Sequence, residues 1–416
     1  MRQTKGALFL LLILAINSVN GQSTSSVYSD RGIGLINYQG LPNNMAMGEV
    51  GIAVPSIWNI NYQNPAFLPF NNLMMFQVGL EMDRRSLENN EQSGKEVAAG
   101  LRNLNFSFPV ISGKWTTSFG LTPYSTVNAK TFTTDSLNNN QTGVLTSFKG
   151  SGGLTSFVWS NGFKISKALY VGVRMNYLFG SIEDRARSFI SDTQGASYVV
   201  DFTDKSSYSG VGLELSTGYR KELNETSALN FGAVYKLAQD LTGTNDKFFE
   251  LLSNSGQGTT PRYVVEDERI SYTVPSSIGL GTSYQVFNKY LIGIDVKTTT
   301  WSRSSTDTDS FINTTKIGIG GQWTPDFGSV SKYLNRVTYR LGVSFENHPY
   351  KVNGQTIREF GINFGGSLPV GLSSLDLAFK YGGLGTKDND LIRETYFRVV
   401  IGATINDRWF IKRRYD

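Results

Sequence analysis

The chain has 416 residues, with 39 Lys and Arg against 34 Asp and Glu, which gives a formal net charge of +5. A charge this mild does not indicate a nucleic-acid-binding protein, so no nucleic-acid partner is expected. The chain contains no cysteine and a single histidine, His348, which excludes disulfides, cysteine nucleophiles and multi-histidine metal sites. We therefore expect a protein without enzymatic activity, metal or cofactor.

Residues 1–21 have the three parts of a secretory signal peptide. Residues 1–5 carry two positive charges, residues 7–16 form an unbroken apolar run, and small residues precede a cleavage point before Gln22. Beyond the leader, no stretch approaches the roughly 18 consecutive apolar residues of a membrane-spanning helix. The sequence therefore predicts an exported protein and excludes helical channels and transporters.

From about residue 73 onward, apolar and polar residues alternate with the period of two that is typical of strands. In residues 337–346, the apolar positions are Val337, Tyr339, Leu341, Val343 and Phe345. A water-soluble sandwich shows a similar pattern, but here the opposite face repeatedly carries Arg, Lys or Asp in mid-strand. The alternation predicts fourteen strands, at residues 73–82, 100–109, 113–123, 153–161, 168–182, 206–221, 227–240, 275–286, 289–301, 312–323, 336–346, 357–368, 373–383 and 393–405.

The links between these strands alternate in length. Short links, such as residues 110–112, 287–288 and 369–372, alternate with polar loops at residues 83–99, 124–152, 183–205 and 241–274. Short turns on one side and long loops on the other are typical of an outer-membrane barrel. We predict an all-β fold, a transmembrane antiparallel barrel over residues 73–407, with a short basic periplasmic tail at residues 408–416. The expected location is the outer membrane of a Gram-negative bacterium after cleavage of the signal peptide.

Residues 22–72 do not alternate and instead contain Gly-rich turns around small apolar patches. Their apolar content, which includes Trp58, Ile60, Tyr62 and Phe67, is too high for a solvated tail. A barrel of about fourteen strands has a lumen wide enough to need filling. We therefore predict that residues 22–72 form a hatch inside the barrel.

The stretch AMGEVGIAV at residues 46–54, followed by NYQNPAFL just before the first strand, resembles the FadL and TodX family of outer-membrane transporters. In that family the hatch carries an Asn-Pro-Ala motif, which corresponds here to Asn64, Pro65 and Ala66. The resemblance implies a fourteen-stranded barrel that takes up hydrophobic small molecules passively, such as long-chain fatty acids or aromatic compounds. It also implies a path: capture at an apolar loop surface, transfer to a lumen site, hatch movement and exit through the wall. Unlike the family barrel, which commonly ends near an aromatic residue, this chain continues past Phe410 with a basic tail.

Two groups of residues are candidate sites. In the loop after the seventh strand, residues 246–252 have apolar positions on one side of a predicted short helix, which forms either a hydrophobic groove or a cover for the barrel top. Alternation also places cations on the lumen side, where they bind a carboxylate head group or form structural ion pairs. The groove residues are Phe248, Phe249, Leu251 and Leu252, and the lumen cations are Arg174, Lys236, Lys297, Arg340, Lys380 and Arg398.

An alternative function belongs to another class of protein. The barrel also resembles the FadL-like shuttle subunit of type IX secretion, a structural or carrier barrel that binds protein partners, and the long loops leave room for such contacts. A hydrophilic porin is a third possibility, which the predicted hatch disfavours. In the transporter interpretation the partners are a hydrophobic small-molecule ligand, outer-membrane lipids and lipopolysaccharide, and the protein is a monomer.

Overall fold

The computed structural model of the protein describes residues 26–137, 142–192, 197–252, 262–304 and 311–408. The predicted signal peptide and residues 409–416 of the predicted tail lie outside this part of the chain. Among the described residues, no helix combines the length and the apolar character needed to cross a membrane. The helical segments are short: the 3-10 turns Val27–Ser29, Pro65–Phe70, Trp301–Ser304 and Asp388–Asp390, and the helices α1 (Pro42–Met45) and α2 (Tyr333–Arg336).

Strands make up most of the described chain, as alternating β-branched, aromatic and polar residues lead one to expect. In chain order they are β1 (Leu35–Ile36), β2 (Met74–Glu88), β3 (Ser93–Ile111), β4 (Trp115–Pro123), β5 (Ser125–Leu137), β6 (Thr142–Lys164), β7 (Leu169–Asp192), β8 (Ser197–Glu222), β9 (Ser227–Lys236), β10 (Gln239–Leu252), β11 (Arg262–Val274), β12 (Ser277–Val286), β13 (Tyr290–Thr299), β14 (Thr314–Trp323), β15 (Thr338–Val352), β16 (Gln355–Val370), β17 (Ser373–Leu384) and β18 (Arg393–Asp407).

These strands form a closed antiparallel barrel of fourteen wall strands. Three wall strands are bent and consist of two segments each, namely β4 with β5, β9 with β10, and β11 with β12. The barrel closes where β18 pairs with β2, from Arg393 opposite Glu88 to Asp407 opposite Met74. The all-β fold and the fourteen strands that alternation predicts are confirmed.

The two faces of the wall have opposite chemistry. On β18, Phe397, Ile401 and Ile405 point outward and are exposed, whereas Arg398 and Thr404 point inward and are buried. This inversion of the water-soluble pattern suits a wall that faces lipid outside and a polar lumen inside. The turns at residues 112–114, 165–168, 223–226, 287–289 and 371–372 lie at the same end of the barrel as Asp407, the last residue of β18, and we refer to this end as the periplasmic side.

The wall strands are longer than a bilayer requires. About 9–11 tilted residues cross the hydrocarbon, whereas β6, β7 and β8 contain 23, 24 and 26 residues. The prediction of long polar loops at residues 83–99, 124–152, 183–205 and 241–274 was therefore wrong, because most of these residues continue the strand ladder. Above the membrane both faces of a strand meet water, so the apolar alternation disappears although the pairing continues.

The N-terminal segment, residues 26–72, is mostly buried and contacts inward-facing side chains of the wall. It begins beside the upper part of the barrel, where the Ser26 backbone N–H donates to Asn128 on β5 at 3.1 Å. It ends at the periplasmic side, where Asn406 Nδ2 donates to the Trp58 carbonyl at 3.0 Å. The segment therefore runs along the lumen from the outer end toward the periplasmic end.

Candidate functional site: the lumen and its wall

Glu49 ties the N-terminal segment to two wall strands. Its carboxylate forms ion pairs with Lys316 on β14 and with Lys380 on β17, the latter at 2.8 Å. Lys380 Nζ also donates to Glu359 Oε1 at 2.8 Å. Burial by itself raises the pKa of the Glu49 carboxyl, but the two lysines outweigh it and lower the pKa to about 2. The Glu49 carboxylate is therefore charged at neutral pH, as its two cationic partners require.

Asp295 on β13 holds the next residues of the same segment through their backbone. Its Oδ2 accepts hydrogen bonds from the N–H groups of Gly51 at 2.6 Å and Ile52 at 2.8 Å. The residue is 6% exposed, so little water competes for these bonds. Hydrogen bonds to a charged partner contribute about 1.5–3 kcal/mol each. Asp295 is thus a strong anchor for the Gly-rich stretch.

The Asn-Pro-Ala motif forms a buried turn. Asn64 caps the 3-10 turn that Pro65 begins, because its Oδ1 accepts a hydrogen bond from the Ala66 N–H at 3.0 Å. The amide of the same side chain donates to the carbonyls of Ile52 at 2.8 Å and Thr217 of β8 at 3.1 Å. One side chain therefore joins the turn, the Gly-rich stretch and the wall.

A further set of polar contacts joins the two ends of the chain. Arg398 on β18 donates to Asp83 on β2 at 2.7 Å across the line of barrel closure. Nearby, Glu394 Oε1 accepts hydrogen bonds from Ser26 Oγ at 2.8 Å and from the Val27 N–H at 2.9 Å. The start of the N-terminal segment is thereby fixed to the last strand.

All six predicted lumen cations point toward the interior, but their surroundings differ. Arg174 pairs with Glu214 at 2.9 Å, and Arg340, Lys380 and Arg398 also have carboxylate partners. For these four residues the contacts favour a structural role. Lys236 and Lys297 instead line a cavity, and Lys236 Nζ lies 4.8 Å from the centre of the Tyr124 ring.

The cavity has a volume of about 170 Å³ and lies between the N-terminal segment and the wall. Tyr38 and Tyr62 line it from the segment, and Tyr124, Lys236 and Lys297 line it from the wall. Its chemistry is mixed, because aromatic rings and charged groups alternate around it. The space suits a small molecule that has a polar end for the charged part of the lining and an apolar part for the tyrosine rings.

An apolar cluster surrounds Ile33 of the N-terminal segment. The cluster is buried and comes from many strands, so it forms a layer across the lumen toward the outer end. Its members are Ile33, Tyr124, Val127, Leu154, Leu178, Ile182, Leu241, Val274, Trp301, Phe311 and Tyr350.

The predicted apolar loop helix does not form: Phe248, Phe249, Leu251 and Leu252 all belong to strand β10. The spacing that would place them on one side of a helix places neighbours on opposite faces of a strand, so Phe248 and Phe249 point apart.

Strand pairing nevertheless creates an apolar inner face at the outer mouth. Phe249 lies opposite Phe202, Phe202 opposite Ala186, and Ala186 opposite Phe148, across four strands. Directly opposite residues share a face, and on β7 this face also carries the buried lumen residue Ile182. Phe148 and Phe202 are 44% and 37% exposed. An accessible apolar surface thus leads toward the apolar cluster.

The wall is interrupted between β3 and β5. In the described residues, β3 pairs with β4 only over Leu104 to Ile111, and its residues 93–103 have ladder partners on the β2 side alone. The neighbouring strand bends after Pro123, and its upper half, β5, pairs instead with β1 of the N-terminal segment. Arg102, the extra residue of a bulge at this edge, donates to the Tyr38 carbonyl. Near the break, Leu35 and Ile36 of the N-terminal segment thus lie beside this edge of β5, opposite Thr126 and Ser125.

Sequence reasoning missed the acids that complete these contacts. Glu49 had a signal, since it is the one charge in the stretch at residues 46–54. Asp83 and Glu394 had none, because they lie in or beside segments that resemble polar loops. The edge at residues 93–103 was also missed, because it lies mostly within a predicted loop.

The fold and this interior define a FadL-like outer-membrane β-barrel whose N-terminal segment contacts the lumen. The chain belongs to the BamG family, whose model matches residues 3–416. The resemblance to the FadL and TodX architecture that the sequence indicates is confirmed, whereas the family that matches by sequence is BamG. No curated protein matches the chain in sequence.

Several solved structures share the fold. The toluene transporter TodX of Pseudomonas putida is 17% identical, with 93% of this chain and 100% of that chain covered and a TM-score of 0.59. The Ralstonia pickettii toluene transporter TbuX is 14% identical, with 89% and 99% covered and a TM-score of 0.58. A Pseudomonas aeruginosa FadL homologue is 12% identical, with 87% and 96% covered and a TM-score of 0.55. At these identities the likeness concerns the fold.

Proposed function

We propose that the protein is a passive outer-membrane transporter for hydrophobic small molecules. The observation that carries this proposal is the interruption between β3 and β5, because it offers a sideways route between the lumen and the lipid. The names of two similar structures, both toluene transporters, support the same class. The protein acts as a monomer among outer-membrane lipids and lipopolysaccharide, and the reaction needs no cofactor.

The path follows the apolar surfaces. A ligand first contacts the inner face at the mouth, which includes Phe202 and Phe249, and then enters the apolar layer around Ile33. Below that layer lies the cavity. Residues 36–39 line this cavity and also lie next to the bent strand at Tyr124. They therefore separate the cavity from the wall interruption.

The N-terminal segment is the hatch of this transporter. A cavity of about 150 Å³ holds a molecule such as benzene, and the cavity here has about 170 Å³. A compound with one aromatic ring therefore matches this cavity in volume, whereas a long-chain fatty acid requires the segment to shift. The short pairing of Leu35 and Ile36 with β5 is the contact that has to open.

A reversible cross-link tests the hatch movement. Leu35 lies directly opposite Thr126, and opposite residues of antiparallel strands have Cα atoms about 4.5–5.5 Å apart, which a disulfide can bridge. The variant Leu35→Cys/Thr126→Cys has no other cysteine to react with. After oxidation we expect it to lose uptake of labelled toluene and labelled oleate into cells that lack other such transporters. A reductant should restore uptake.

The matched control joins two wall strands without touching the N-terminal segment. Thr298 lies opposite Thr315 between β13 and β14, and the pair Thr298→Cys/Thr315→Cys should leave uptake unchanged when oxidised. Uptake that persists through an oxidised Leu35–Thr126 lock would refute the hatch movement. If the wild-type protein neither binds nor takes up either compound, the transporter proposal itself fails.

A second candidate function is a carrier barrel that binds a protein partner. The observation in its favour is the sheet of β6, β7 and β8, which continues well beyond the membrane. Its outer part carries charged side chains in rows, such as Arg187 opposite Asp201. Native mass spectrometry of gently extracted protein separates the two functions. A bound apolar molecule supports transport, and a stoichiometric protein without lumen ligand supports the carrier.

A further inference from the structure

The longest connection on the periplasmic side is the periplasmic loop, residues 324–337 between β14 and β15. It exposes apolar side chains to an unusual degree, since Val330 is 97% and Leu334 67% exposed. On the neighbouring β16, Val370 is 65% exposed. Together these side chains form an apolar patch at the lower rim of the barrel, and such patches mark contact surfaces.

Hydrogen bonds fix the second half of the loop to the rim of the wall. Tyr333 Oη donates to the Pro369 carbonyl at 3.1 Å, and Tyr339 Oη donates to the Leu334 carbonyl at 3.2 Å. Tyr339 points outward and packs on Trp323, with ring centres 6.1 Å apart. Aromatic pairs of this kind mark the level of the lipid headgroups. The short helix α2 is therefore continuous with the lipid-facing surface.

The charge of this rim suits anionic headgroups. In the periplasmic turns and at residues 407–408, cations outnumber carboxylates by six to three. Two of the cations, Lys332 and Arg336, belong to the loop, and the Arg336 guanidinium lies 5.3 Å from the centre of the Tyr333 ring. The six cations are Lys114, Lys167, Lys289, Lys332, Arg336 and Arg408, and the three carboxylates are Glu225, Asp326 and Asp407.

We propose that the periplasmic loop is an in-plane membrane anchor. Val330 and Leu334 insert among the phospholipids of the periplasmic leaflet, and Lys332 and Arg336 bind anionic headgroups there. An apolar edge flanked by cations is the pattern with which surface segments bind such membranes.

The anchor also touches the N-terminal segment. Phe327, in the first half of the loop, packs on Trp58 with ring centres 5.6 Å apart. The loop thus reaches from the lipid at its α2 end to the lower end of the lumen at Phe327. Lipid contact therefore keeps Phe327 in place beneath the N-terminal segment.

Because the chain contains no cysteine, spin labels attached to single introduced cysteines test the anchor directly. Single nitroxide labels at Val330→Cys and Leu334→Cys are compared with one at Ser112→Cys, an exposed position in the short turn after β3. The proteins are reconstituted into vesicles of phosphatidylethanolamine and phosphatidylglycerol at three to one, a ratio of about 25% anionic lipid chosen to give a negative surface. Accessibility to oxygen reports lipid, and accessibility to a water-soluble nickel chelate reports water.

We expect the oxygen-to-nickel ratio at positions 330 and 334 to be several-fold higher than at 112. Introducing Lys332→Glu and Arg336→Glu should lower that ratio at 330, and so should vesicles without phosphatidylglycerol. Nickel accessibility at 330 and 334 equal to that at 112 would overturn the anchor. A ratio at 330 that stays high both after the charge reversal and in vesicles without phosphatidylglycerol would overturn the headgroup contact. Heat-modifiable migration in gels verifies that each variant is folded.

Discussion

Removing the Asp295 carboxylate should loosen the N-terminal segment strongly. Asp295 accepts two backbone hydrogen bonds, from Gly51 and Ile52, in a buried site. At about 1.5–3 kcal/mol for each bond to a charged group, Asp295→Ala raises the free energy of the docked segment by about 3–6 kcal/mol. Because about 1.4 kcal/mol corresponds to a factor of ten, the undocked population should rise roughly a hundredfold to ten-thousandfold.

Cysteine labelling measures that population. Val50, next to Gly51, is fully buried, and Val50→Cys reports exposure of the segment when a maleimide reagent reacts with it. We expect the labelling rate of Val50→Cys to rise by the same factor when Asp295→Ala is added. Asp295→Asn keeps an acceptor oxygen but loses the charge, so its effect should lie between wild type and Asp295→Ala.

The matched control is Asp376, another buried carboxylate of the lumen face. Its hydrogen bonds go to wall residues, Ser367 and Thr404 among them. Asp376→Ala should therefore leave the labelling rate of Val50→Cys nearly unchanged. Equal rates in the Asp295→Ala and wild-type backgrounds would refute the reasoning that backbone bonds to Asp295 hold the segment.

Three further variants probe the same segment. Gly48 has a φ of 66°, and an added Cβ would meet the Ile319 carbonyl. Gly48→Ala should therefore lower the melting temperature of the barrel, measured by heat-modifiable migration. An unchanged melting temperature would show that the backbone relaxes there. Asn64→Ala removes a turn cap and two anchoring hydrogen bonds, so the docked segment should lose about 1–3 kcal/mol of stability. Labelling of Val50→Cys should become faster. Asn64→Asp should recover only the cap. Glu394→Ala releases the start of the segment, so proteolysis just after residue 26 should accelerate; it also removes the buried ion-pair partner of Arg85 on β2, so the melting temperature of the barrel should fall as well. Equal proteolysis would mean that other contacts hold this end.

The sequence predicts the wall well where lipid and lumen impose alternation. Strand β18 is an example, because its outward Phe397, Ile401 and Ile405 must be apolar and its inward Arg398 must not be. The same reasoning fails above the membrane. Residues 183–205 look like a loop because water solvates both faces there, and nothing in the composition separates a hydrated strand from a hydrated loop.

The interior is harder to predict from sequence than the wall. Inward cations follow from alternation, but their partners do not, because Lys380 meets Glu49 only when the N-terminal segment, 331 positions away in the chain, lies beside β17. The apolar residues 248–252 were assigned to the correct end of the barrel but to the wrong secondary structure. The missed partners and the wrong secondary structure have the same cause. Pairing between distant parts of the chain decides which residues meet, and the short-range periodicity of the sequence contains no information about that pairing.

The seam between the first and last wall strands has a consequence for how the barrel is made. Asp83 and Arg398 are 315 positions apart in the chain, so their contact forms only when the first and last wall strands, β2 and β18, pair. If β18 joined β2 one residue out of register, every side chain of β18 would change face. Arg398 would then point into the hydrocarbon, which costs about 2–4 kcal/mol near the bilayer midplane, and Asp83 would lose this partner. The ion pair thus lowers the free energy of the correctly closed barrel relative to a barrel closed one residue out of register.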